Sequence, residues 1–125
     1  MVKVTILGST GMLGNAVTSV FMADKHFDVS ASFRRHELKT NDKSFYFDAL
    51  NTDFSEIPKC DYLINCIGII KPHMNKDEQS SIYINSIFPH KLSDWCKQNG
   101  TKLIHITTDC VFSGVSGFYT EESPS

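Results

Sequence analysis

The sequence predicts an α/β chain, a doubly wound parallel sheet with helices on both faces. Three observations carry this. Short apolar runs, several of them β-branched, alternate with stretches of helical periodicity, the pattern of consecutive βα units. The turn after the first run is rich in glycine and leads straight into a helical pattern. The chain has 125 residues, 41% hydrophobic and 21% charged, which is the composition of one ordinary globular domain.

The first strand is Val2–Leu7, a β-branched apolar run. A helix follows over residues 12–24, with Leu13, Val17, Val20 and Phe21 marking its apolar face. Residues 28–33 alternate as a second strand, and 44–47 form a short aromatic third. Residues 61–68 make a fourth strand through Tyr62-Leu63-Ile64-Asn65-Cys66-Ile67. A long helix is expected over 78–99, apolar at Ile84, Ile87, Phe88, Leu92, Trp95 and Cys96. Pro89 lies inside it and should bend or locally open it, because proline has no N–H to donate. Gly100 is placed as its C-terminal cap, and residues 102–107 form the fifth strand. Right-handed crossovers then give the strand order 3-2-1-4-5. A complete doubly wound domain carries a sixth strand, so the sheet is expected to be incomplete at its C-terminal side.

Composition excludes several classes of function. Formal net charge is -2 and the 12 basic residues are scattered, so no nucleic-acid footprint is expected. No run reaches the ~20 apolar residues of a membrane span, and residues 1–7 do not read as a signal peptide. A cytoplasmic chain with no membrane partner is the expectation. Cys60, Cys66, Cys96 and Cys110 form no C-x-x-C pair and read as free thiols. They and the five histidines have no metal-ligand spacing, so no metal is expected.

The glycine-rich turn reads Gly8-Ser9-Thr10-Gly11-Met12-Leu13-Gly14. Gly8 permits the sharp exit from the strand, Gly11 lets a ligand approach the backbone, and Gly14 lets the helix pack closely on the sheet. The first-turn N–H groups and the helix dipole of about +0.5 charge suit a pyrophosphate. The expected dinucleotide site therefore includes Gly8, Thr10, Gly11, Met12, Leu13 and Gly14. At the end of the second strand, where an acid would grip a ribose 2′-hydroxyl, the chain has Arg34 and Arg35. Two guanidinium groups suit a 2′-phosphate, so NADP is the expected cofactor. Glu37 stands slightly late and leaves NAD open.

The spacing G-x-x-G-x-x-G resembles that of the extended short-chain dehydrogenase/reductase superfamily, with its Rossmann-type fold. Residues 107–114, Thr-Thr-Asp-Cys-Val-Phe-Ser-Gly, are similar to the Ser-Thr-Asp-Tyr-Val-Phe-x-Gly signature of the dTDP-4-dehydrorhamnose reductase-like sugar-nucleotide reductases, with Cys110 at the tyrosine position. The resemblance implies NADP-dependent reduction of a 4-keto-6-deoxy sugar nucleotide by a longer parent protein, and a homodimer. It makes Thr108 the hydroxyl of the catalytic Ser/Thr–Tyr–Lys set and places Asp109 beside the substrate. By the same match Asp48 and Ala49 lie at the adenine, and Cys66, Ile67 and Gly68 run along the cofactor. Asn85 supports the active site. Asp48 reads equally as a turn aspartate, Asn85 as an ordinary helix polar residue, and Lys71-Pro72-His73 as a solvated loop.

Hydride transfer to a ketone builds negative charge on the carbonyl oxygen, which a hydroxyl such as that of Thr108 stabilises. In the family the proton comes from the tyrosine of a Y-x-x-x-K pair. Tyr119 does not supply it, since Ser123 stands four residues on. Without that general acid, worth ~10²–10⁴ in rate, residues 1–125 are expected to be a cofactor-binding portion, inactive alone. Two other readings stand: a sugar-nucleotide epimerase or dehydratase of the same superfamily, and a non-catalytic dinucleotide-binding regulatory module. The strand-five motif fits the reductase better than the epimerase.

Overall fold

The computed structural model describes residues 1–34, 43–51, 53–68 and 78–106. The elements are β1 (Val2–Leu7), α1 (Met12–Met22), β2 (Phe27–Phe33), β3 (Ser44–Tyr46), a 3₁₀ turn (Phe54–Glu56), β4 (Tyr62–Asn65), α2 (Glu78–Ile82), a π-helical turn (Tyr83–Ile87), α3 (Phe88–Asn99) and β5 (Lys102–His105). The sheet runs β3-β2-β1-β4-β5 with every pairing parallel, as expected from the sequence. Among the described residues, no helix is long and apolar enough to cross a membrane.

The central strands are buried on both faces. On one face Leu7 and Leu63 meet Phe47, Ile57, Ile84, Phe88, Leu92 and Cys96. Phe88 is its centre, fully buried with ring centroids 6.0 Å from Phe47 and 5.7 Å from Phe54. Burial of one such side chain contributes about 2–3 kcal/mol. The spacing Ile84, Phe88, Leu92, Cys96 is a stripe of i, i+4 positions, the face these helices turn to the sheet. Ile87, expected on that stripe, is 45% exposed, and Trp95 is only partly buried at its margin.

The opposite face is smaller. Val4, Ile6, Val29 and Ile64 are covered by Val17 and Phe21 of α1. Leu13 and Val20, also expected to face the core, are 45% and 70% exposed. Helical periodicity identifies a stripe, but only the half of it nearest the strands is covered.

Pro89 acts as expected. The Phe88 N–H reaches back five residues to the Tyr83 carbonyl, and Pro89 falls in the first turn of α3, where a missing N–H costs little. Gly100 closes α3 in the left-handed region at φ +66°, its N–H on the Cys96 carbonyl, which the Thr101 N–H also reaches at 2.9 Å. β4 ends at Asn65, three residues before the expected limit, because the Asn65 side chain there takes over the backbone: its Oδ1 accepts from Ile67 N–H at 3.1 Å.

Candidate dinucleotide-binding cleft

β1 ends at Leu7 and the chain turns at Gly8, whose φ of +81° is a conformation that favours glycine. A Cβ on Gly8 would lie 3.0 Å from Ile67 Cγ1 and 3.2 Å from the Cys66 carbonyl carbon. Gly14 is demanded more strongly. A Cβ there would stand 1.8 Å from the Gly8 carbonyl oxygen, so the first turn of α1 rests directly on the turn below it. Gly11 differs. Its φ of -74° is ordinary, and a Cβ would meet only the Gly8 oxygen at 3.7 Å. Nothing in the fold requires glycine at Gly11, which opens on a cleft.

That cleft, of about 200 Å³, lies at the C-terminal ends of the strands. It gathers Gly8, Thr10 and Gly11 from the turn, Arg34 after β2, Asp48 and Ala49 after β3, and Cys66, Ile67 and Gly68 after β4. These residues, widely separated in sequence, were all expected at a dinucleotide site. Gly14 lies behind the turn, buried. Met12 is 95% exposed, and it and Leu13 begin α1, whose first-turn N–H groups have no intrahelical acceptor. Asn85, half-buried, does not line the cleft but stands behind Gly68, its Oδ1 3.6 Å from where a Cβ on Gly68 would be. Its neighbour Ile84 does line it. Arg35, Thr108 and Asp109 lie outside the described residues.

Asp48 performs the turn role: its carboxylate accepts from Leu50 N–H at 3.0 Å and from Asn51 Nδ2 at 3.4 Å. That leaves it fixed at the cleft rim rather than swinging free. Half-burial pushes the Cys66 thiol above its ordinary value, which keeps this stretch of wall uncharged. Arg34 is the one cationic side chain lining the cleft among the described residues, and it is exposed.

Four residues that sequence reasoning missed complete the cleft: Ser32, Phe33, Phe47 and Ile84. Ser32 is the most informative. It is buried, its Oγ accepts from Gly8 N–H at 2.8 Å, and its carbonyl accepts from Ser9 Oγ at 2.6 Å and from Ser9 N–H at 3.1 Å. Ser9 therefore faces the sheet, not the cleft. A serine in the buried C-terminal half of β2, between Ala31 and Phe33, was the available signal.

Gly11 lines the cleft without a side chain at the start of α1, whose first-turn N–H groups suit an anion. A family profile described as the RmlD substrate binding domain matches residues 2–125. Among solved structures, a hypothetical dTDP-4-dehydrorhamnose reductase from Sulfolobus tokodaii is similar at 21% identity and a TM-score of 0.78, over 98% of this chain and 45% of that one. A mutant of UDP-glucuronic acid 4-epimerase from Bacillus cereus, in complex with UDP-4-deoxy-4-fluoro-glucuronic acid and NAD, matches at 22% and 0.78, over 96% and 44%. A UDP-N-acetylglucosamine 4-epimerase from Methanobrevibacter ruminantium, in complex with UDP-N-acetylmuramic acid, matches at 19% and 0.79, over 98% and 43%. The chain spans less than half the length of each of these structures, and at such identities the likeness establishes the fold. A comparison with curated protein sequences finds no match.

Proposed function

The chain belongs to the RmlD substrate binding domain family, and from that premise we propose that residues 1–125 are the cofactor-binding portion of an NADP-dependent reductase of 4-keto-6-deoxy sugar nucleotides. The observation that carries this reading is the convergence of Gly8, Gly11, Arg34, Asp48 and the 66–68 segment on one cleft at the strand ends. The bound nicotinamide supplies the hydride. This chain's own residues bind and orient. The turn and the first-turn amides of α1 hold the pyrophosphate. Arg34, with Arg35 after it, holds the 2′-phosphate by charge-assisted hydrogen bonds. Asp48 accepts from the adenine amino group, and Cys66 to Gly68 exclude water along the cofactor. Thr108, which follows β5 in sequence, stabilises the charge on the substrate carbonyl oxygen, and Asp109 lies beside the substrate. None of the four tyrosines has a lysine four residues on, so a reduction by these 125 residues lacks its proton donor.

The epimerases among the similar structures, one of them in complex with NAD, support a second reading within the same superfamily, a sugar-nucleotide epimerase using NAD. The sequence favours the reductase at two places. β2 is followed by arginine rather than an acid, and the Thr-Thr-Asp-x-Val-Phe segment is the reductase form.

The test is a calorimetric titration with NADPH and NADH, repeated with Arg34→Ala. The expected result is tighter NADPH binding, weakened about tenfold or more in the variant by loss of a charge-assisted bond worth ~1.5–3 kcal/mol, with NADH unchanged. Equal affinities for the two cofactors would sink the NADP assignment and leave the dinucleotide site standing.

A further inference from the structure

The opposite end of the same sheet carries a second concavity, about 440 Å³, at the starts of β1, β2 and β3. Parallel strands covered on both faces normally read as continuous apolar runs. Here β2 places Ser30 beside Thr5 of β1, and Ser44 begins β3. Thr5 is buried and engaged with the Cys60 thiol. The half-buried Ser30 hydroxyl has no hydrogen-bond partner among the described residues.

The rim is cationic. Lys3, Lys43 and Lys59 line it against a single carboxylate, Asp28, although the whole chain has a formal net charge of -2. Asp28 is committed to Lys43, whose ammonium group bonds it directly and holds its carboxyl below the ordinary value, with a smaller contribution from Lys3. Among the described residues, Lys3 and Lys59 form no ion pair with a carboxylate. With Asp28 taken up by Lys43, Lys3 and Lys59 leave the concave wall net positive over a polar floor. Half-buried Phe45 and Pro58 supply an apolar wall.

We propose that this concavity binds a small phosphate ester. Lys3 and Lys59 hold the dianion as flexible point charges, the Ser30 hydroxyl donates to it, and the organic part lies against Phe45 and Pro58. The volume lies within the range of small-molecule sites and far exceeds what inorganic phosphate fills.

Phenyl phosphate is the probe. Titrated into the ¹⁵N-labelled chain, it should give saturable amide shifts at Ser30, Phe45 and Lys59, with phenol giving none. Lys3→Ala with Lys59→Ala should weaken it about tenfold or more, from the loss of charge-assisted bonds. Both lysines are exposed, so the variant should keep the wild-type spectrum elsewhere. Shifts confined to residues 8–14, shifts of equal strength in the double variant, or no saturation would each overturn the proposal. A failed dinucleotide titration leaves this outcome untouched, since the two concavities share no lining residue.

Discussion

The two ends of the sheet are built from different materials. At the strand C-termini Gly8, Gly11 and Gly68 help to line the cleft, and at Gly8 and Gly14 the chain is pressed together where a side chain would collide. At the strand N-termini the concavity is made by side chains, lysines around a serine and threonine floor. A backbone site fixes its geometry through close contact and tolerates little change. A side-chain site draws its character from charge and can be altered residue by residue without touching the fold.

The largest expected effect breaks the first of these. Gly14→Ala puts a Cβ 1.8 Å from the Gly8 oxygen, so α1 must lift from the turn. A loss of ~3 kcal/mol in urea unfolding is expected, at the upper end for overpacking. A loss under about 1 kcal/mol would mean that the two elements are less tightly joined than the contact implies.

A second measurement probes the core that both ends share. Burial, with the neighbouring Cys60, pushes the Cys96 thiol from 9.0 up to about 11. The unfolded chain ionises first, so stability is intact below pH 9 and falls as pH rises toward 11. Two units correspond to up to ~3 kcal/mol. Unfolding at pH 8 and pH 11 should show that loss, and Cys96→Val should reduce it. An identical loss in the variant would assign it elsewhere.

The smallest change in stability is expected at Gly11. Gly11→Ala meets no close contact and, at a helix N-cap, should cost no more than ~1 kcal/mol. Dinucleotide binding should nonetheless fall about tenfold or more, the equivalent of at least ~1.4 kcal/mol. A variant that binds normally would show that the cleft is not where the pyrophosphate lies.

This contrast also explains what could be read from the sequence. Gly8, Gly11 and Gly14 announce themselves by spacing, and the strand ends by the apolar runs before them, so most of the cleft was legible. Ser32 was not, because its partner Gly8 is 24 residues away and only the β1–β2 register joins them. Leu13 and Val20 misled, since periodicity does not say which edge of a helix the sheet covers. The lysine-rimmed concavity was illegible for the same reason as Ser32. It draws on residues 3–5, 28 and 30, 43–45 and 58–59, none of which forms a local pattern.

Ser32 has one more consequence. It grips both Gly8 and Ser9 and stands two residues before Arg34, which follows directly on the same strand. On the proposed reading, the glycine turn and the arginine are the two jaws of one caliper, its span set by a single buried residue. A dinucleotide held there would be measured by length before it is tested by charge.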